Sequence, residues 1–185
     1  ASGNVTVVDS RNSSGTSQTV GGLVGYMSSP SGISDATAQG NVSGNYMVGG
    51  LVGNFSTTST LSNVSASGNV SGGSYAGGLV GYAPSGAVQT ATASGNVTPG
   101  SNASYAGGLI GFAGLPNGQS IADAHATGSV ASGASYAGGL IGYLNDTNTT
   151  GQGPAVANSS ASGSVSATYA AGGLVGYWNW GAGSS

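Results

Sequence analysis

The sequence has no cysteine, no lysine and no glutamate, and its 185 residues include only one arginine (Arg11), one histidine (His125) and four aspartates. Without cysteine, no disulfide framework exists. A charged fraction of 3 % lies far below the roughly 25 % usual for soluble domains. One arginine cannot neutralise a row of phosphates, which argues against nucleic-acid binding. No apolar run approaches the ~18 residues of a membrane-spanning helix. What the chain has instead is 38 Gly, 32 Ser and 5 Pro. That composition suits a flexible linker unless the glycines are ordered.

They are ordered. A unit of sequence Gly-Gly-Leu-Val/Ile-Gly, followed by Tyr, Phe or Asn, begins at Gly21, Gly49, Gly77, Gly107, Gly138 and Gly172. A second unit, Ala-x-Gly-Asn/Ser-Val, begins at Ala1, Ala38, Ala66, Ala93, Ala126 and Ala161. The two alternate along the whole chain with steps of 28, 28, 30, 31 and 34 residues between the Gly-Gly pairs. A fixed period of this length marks a tandem array.

The second unit extends backwards with period-two alternation. Ala122, Ala124, Ala126, Gly128 and Val130 share one parity, against Asp123, His125, Thr127 and Ser129. The same holds for Ser34 to Val42 and for Ala157 to Val165. Small residues on one face and polar ones on the other predict a half-buried strand. Around the Gly-Gly pair both parities are apolar, so that segment is either buried on both sides or bent at its glycines. Pro30, Pro84, Pro99, Pro116 and Pro154 fall in the connections, where a stacked sheet tolerates them. No 3.6-residue periodicity competes. The expected fold is therefore all-β, a β-solenoid of six rungs of 28–34 residues, each with two or three short strands. At about 4.8 Å per rung, six rungs make a body about 29 Å long. The array fills residues 1–177, and residues 178–185, with Trp178 and Trp180, form a C-terminal tail outside the repeat.

Gly-Gly-Leu-Val-Gly-Tyr preceded by Ala-Ser-Gly-Asn-Val-Ser resembles the GLUG motif of secreted and surface-anchored microbial proteins. That family accompanies metallopeptidases that cleave immunoglobulin A, filamentous-haemagglutinin-like adhesins and other large surface proteins. The resemblance implies a stalk or surface rather than catalysis. Peptidase activity does not carry over, because a His-Glu-x-x-His site cannot exist in a chain with one His and no Glu.

The residues agree with a non-enzymatic reading. His125 and Asp123 lie two apart on an outward face, but the equivalents of His125 in other repeats are Thr37, Ser65, Thr92 and Ser160. A zinc ion would take three or four ligands. A glycosidase would pair two acids across one groove. Asp35 and Asp123 share a position but lie three rungs apart, about 14 Å. Asp9 and Asp146 fall in insertions. No catalytic residue, metal ligand or cofactor site is assigned.

The strongest chemical signal is the N-glycosylation triplet Asn-x-Ser/Thr. It occurs at Asn4, Asn12, Asn41, Asn54, Asn63, Asn69, Asn96, Asn102, Asn145, Asn148 and Asn158, 11 of 14 asparagines, where chance predicts three or four. Asn4, Asn41, Asn69 and Asn96 share one repeat position, but the other seven still exceed chance. Parity places Asn41, Asn63, Asn69, Asn96 and Asn158 outward. Dense glycans would keep a weakly charged chain soluble.

The first residue is Ala1 rather than Met, as in a processed exported chain, which sets an extracellular or cell-surface location as the expectation. The repeat starts and stops within a rung without a polar cap. Trp178, Trp180, Val5 and Val7 are therefore the candidate contacts between stacked copies, and a heterologous contact of that kind builds an open filament. The expected function is a structural subunit of an extracellular, N-glycosylated filament, with the chain itself as partner and lateral filament contacts or surface glycans besides. The alternative is a stalk or binding segment of an adhesin. An ice-binding surface fits less well, because Asp35, Asp123 and His125 interrupt the Thr/Ser ladder and glycans spoil a flat face.

Overall fold

The computed structural model describes residues 1–7, 18–148 and 155–181. It is a parallel β-solenoid of about five turns, with no helix among the described residues. Each complete turn carries four short segments, more than the two or three expected. They stack into four parallel sheets. Sheet 1 holds the long strands Ile33–Ala38, Thr60–Ala66, Ala87–Ala93 and Ile121–Ala126, closed by the short pieces Val156–Ala157 and Ser160–Ala161. Sheet 2 holds Val5–Thr6, Val42–Gly44, Val70–Gly72 and Val97–Thr98, continued by single bridges through Val130 and Val165. Sheet 3 runs from Thr19–Gly21 through Met47–Gly49, Tyr75–Gly77, Ala103–Gly107 and Ala134–Gly138 to Ala170–Gly172. Sheet 4 runs from Val24–Met27 through Val52–Phe55, Val80–Ala83, Ile110–Leu115 and Ile141–Asp146 to Val175–Trp180.

Register follows the repeat residue for residue. Val5, Val42, Val70, Val97, Val130 and Val165 form one column, and Gly21, Gly49, Gly77, Gly107, Gly138 and Gly172 another. Insertions are confined to the connections, so unequal rung lengths leave the columns aligned. The Gly-Gly pair turns out to be a corner. The first glycine ends a sheet 3 strand, and the chain re-emerges in sheet 4 after the second glycine and one leucine. This resolves the two apolar parities: the segment is bent at its glycines, and Leu79 and Val80, although neighbours, are both fully buried.

Strict alternation fails in one place. The sheet 1 strands carry a left-handed residue in the same column: Asp35, Asn63, Thr90, Asp123 and Asn158, with φ between 47° and 55°. That twist turns two successive residues outward and shifts the phase before it. Gln89 and Thr90 are both exposed, while Val88 and Ala91 are both buried. Parity had put Ser34 and Ala122 inside. Ser34 is exposed and Ala122 only half-buried, while Ile121 is fully buried. Asp and Asn dominate the column because their short polar side chains tolerate this backbone region.

The interior is divided in two. Between sheets 1 and 4 lies a wide core built on the stacked corner leucines Leu51, Leu79, Leu109 and Leu140, with Phe55, Ile110, Leu115, Ile121 and Leu144. Between sheets 2 and 3 lies a narrow core of Val and Ala, among them Val48, Val70, Val97, Ala106 and Ala137. Sheets 3 and 4 meet at the Gly-Gly corner almost backbone to backbone. A Cβ on Gly81 would sit 2.7 Å from the Val48 amide nitrogen, and one on Gly77 would overlap the carbonyl oxygen of Val80. Only glycine permits that approach.

Candidate functional site

Three outer columns and the two end rungs carry the residues that could meet another molecule. The first column is an asparagine ladder beside the Ala-x-Gly bend. The backbone N–H of Asn41 donates to Asn4 Oδ1, Asn69 to Asn41 Oδ1, Asn96 to Asn69 Oδ1 and Ser129 to Asn96 Oδ1, each at 2.9 Å. Each side-chain carbonyl thus satisfies an amide one rung further on, a structural reason for Asn at this repeat position. All four asparagines are exposed.

The other triplet asparagines divide by burial. Asn63, Asn102 and Asn158 are exposed, with Asn63 Nδ2 donating to Asp35 Oδ1 at 2.6 Å. Asn145 is half-buried and accepts from Asn179 Nδ2 at 2.8 Å. Asn148 is half-buried, and its backbone N–H donates to Asp146 Oδ1. Asn54 is only 7 % exposed, its Oδ1 held by the Ser56 hydroxyl, which makes it the least accessible of the described triplet asparagines. Asn12 lies outside the described residues, as do Asp9, Arg11 and Pro154.

The second column is polar and runs along sheet 1 beside the left-handed residues. Thr37, Ser65, Thr92, His125 and Ser160 stand in register. Thr37 and Ser65 hydroxyls meet at 3.0 Å, and His125 Nδ1 lies 2.8 Å from Ser160 Oγ. His125 is thus one step in a hydroxyl ladder, and among the described residues no three His, Cys, Asp or Glu side chains converge.

The third column is aromatic. The residue after the Gly-Gly-Leu-Val-Gly unit and the residue two before it close over the corner as a double row of rings. On sheet 4, Tyr82, Phe112, Tyr143 and Tyr177 stack at centroid distances of 4.8, 5.5 and 5.2 Å. On sheet 3, Tyr75, Tyr105 and Tyr136 follow one another at 5.4 and 5.8 Å, with Tyr46 and Tyr169, each one residue ahead of this column, against the two ends. The rows interlock, with Tyr75 5.1 Å from Tyr82 and Tyr105 4.7 Å from Tyr143. Burial, then the neighbouring Tyr46 phenol, pushes the Tyr75 hydroxyl up to about 12. Burial, followed by neighbouring phenols, raises Tyr82, Tyr105 and Tyr143 in the same direction.

At the end rungs the inner columns come to the surface. Leu23 is 43 % exposed, whereas Leu51, Leu79, Leu109 and Leu140 in the same column are fully buried. Tyr26, Tyr177, Trp178 and Trp180 are also exposed. The strand Val175–Trp180 runs through the expected boundary at 177/178 and pairs Leu144 with Trp178 and Asp146 with Trp180, so both tryptophans belong to the last rung. Val5 is half-buried and Val7 exposed in the first rung, on sheet 2. The candidate contacts therefore sit on different columns. In a stack in register, Trp178 would meet the column of Met27, and Val5 that of Val165.

Residues 44–71 match the family model described as the GLUG motif, a stretch that covers one full turn of the solenoid. The chain is a GLUG-motif repeat protein, in which the motif's columns continue above and below the matched turn. No curated protein and no solved structure matches it.

Proposed function

We propose that the chain is a structural subunit of an extracellular fibre, stacked head to tail through its end rungs and N-glycosylated on its outer columns. One observation carries the reading: among the described residues, both end rungs present the same columns in register. Placing Gly21 over Gly172, Leu23 over Leu174, Val24 over Val175 and Tyr26 over Tyr177 continues each ladder by one rung. Such a contact is heterologous and does not close, so it propagates as a filament. Three of the four sheets have a strand in the first rung; sheet 1 begins with Ile33–Ala38 in the second. The junction therefore rests on sheets 2, 3 and 4.

Glycan attachment is supported by the exposure of Asn63, Asn102 and Asn158 and of the asparagine ladder. Ladder neighbours lie one rung apart, about 4.8 Å. A sugar ring is wider than that, so at most alternate members of Asn4, Asn41, Asn69 and Asn96 carry a glycan. A second reading is a stalk or binding segment of a surface adhesin, because further repeats of one longer polypeptide would satisfy the open columns equally well.

Electron microscopy of native, unheated material tests the proposal. A fibre whose subunit advances about 29 Å, and which dissociates into short chains when denatured, is the expected result. A rod that remains one long polypeptide after denaturation favours the adhesin stalk, and isolated particles at high concentration reject both.

A further inference from the structure

The double row of rings contains nine aromatic side chains in continuous contact, and eight of them are phenols. A phenol can lose one electron and its proton together, and rings in contact pass that oxidation along. The row has accessible ends, since Tyr169 is 78 % and Tyr177 41 % exposed. Tyr177 lies 5.2 Å from Tyr143, which lies 4.7 Å from Tyr105. On sheet 4, Phe112 stands between Tyr82 and Tyr143 and cannot form a phenoxyl radical. Migration towards Tyr75 must therefore pass through Tyr105, reached from Tyr143 directly or from Tyr177 by way of Tyr136. Tyr105 and Tyr143 are the closest pair of phenols in the row, tilted at 47° rather than stacked flat.

We propose that Tyr105 and Tyr143 are a site of oxidative cross-linking, joined as dityrosine by a haem peroxidase with hydrogen peroxide. Each phenol gives up one electron and one proton, and the two phenoxyl radicals form a carbon–carbon bond between their ortho positions. The hydrogen on each joined carbon then moves to its oxygen and restores the phenol. The peroxide takes up two electrons and two protons and leaves as two waters. The product ties two successive rungs and two sheets together in a chain that has no cysteine for the purpose. It rests on ring geometry alone and holds whether or not the chain forms a fibre.

The test uses dilute protein, horseradish peroxidase and limiting hydrogen peroxide, read by dityrosine fluorescence and by mass spectrometry of thermolysin fragments. The expected product is a monomer lighter by two hydrogens, with the fragments containing Tyr105 and Tyr143 linked. Tyr105→Phe and Tyr143→Phe should each lose that product and remain folded, because Phe112 shows that the stack accepts a phenyl ring. Tyr26→Phe should keep it, since Tyr26 stands opposite Asn54 rather than another ring. Dityrosine found only between molecules, an unchanged yield in Tyr105→Phe, or no dityrosine at all would overturn the assignment.

Discussion

The two cores of this solenoid are built from the same repeat yet hold together by different means. Between sheets 1 and 4, long side chains do the packing, and each of the four inner rungs contributes a fully buried leucine at the corner. Between sheets 2 and 3, valines and alanines fill a thinner space. At the corner itself sheets 3 and 4 are separated by almost nothing but backbone. The difference teaches that a low-charge, glycine-rich chain can fold by bringing its backbone together rather than by burying larger side chains. Its tolerance to substitution should differ sharply between the regions.

The largest effect is expected at the corner. Gly77→Ala places a methyl on the carbonyl oxygen of Val80, where backbone cannot yield cheaply. A loss of about 3 kcal/mol or more is expected, measured by urea denaturation. A loss below about 1 kcal/mol would mean that the corner relaxes and that the two cores are not divided there.

Leucine truncation in the wide core comes next. Leu109→Ala removes a fully buried side chain and should cost about 2–5 kcal/mol. Val97→Ala, equally buried in the narrow core, removes two carbons and should cost about 1.6 kcal/mol before any cavity contribution. Equal costs would erase the distinction between the cores.

Alkaline pH probes the seam over the corner. The Tyr75 phenol is raised from 10.0 to about 12 by burial and by Tyr46. The unfolded chain therefore loses this proton first as pH rises. The favourable contribution is complete below pH 10 and disappears as pH climbs from 10 towards about 12. Denaturation midpoints across that window should fall in the parent protein, and fall less steeply in Tyr75→Phe.

The smallest effect lies on sheet 1, outside both cores. Thr90 occupies the left-handed column at φ 52°, where its neighbours are Asn63 and Asp123. A β-branched residue is strained there, and Thr90→Asn should stabilise by about 1 kcal/mol. Because the variant creates an Asn-x-Thr triplet with Thr92, the melting temperature is compared on protein made without N-glycosylation. An unchanged or lower value would show that the left-handed turn costs threonine nothing.

Much of this was readable in advance. The alternation of the Ala-x-Gly-Asn-Val unit announced strands, the fixed spacing of the Gly-Gly pairs announced rungs, and the outward placement of Asn41, Asn63, Asn69, Asn96 and Asn158 agrees with their exposure. The phase shift at Asp35, Asn63, Thr90, Asp123 and Asn158 was hidden. A single left-handed residue leaves no periodic trace, although the run of Asp and Asn at one position was a signal that could have been used. The burial of Asn54 was hidden as well, because its column holds Tyr26 and Tyr82 in the adjacent rungs, and the repeat pattern does not show which of these side chains faces solvent.

The sequence by itself determined the period, the parallel stacking and the register, since identical residues at fixed spacing pack best on their own copies. Only the tertiary structure decided that the Gly-Gly unit is a corner and not a strand, and that the interior splits into two cores. It also gathered the tyrosines on either side of the corner into one seam. The physical reason is that periodicity specifies which residues recur on one strand, whereas the angle between two strands depends on how closely their backbones approach. Here that approach is set by the hydrogen atom glycine carries in place of a side chain.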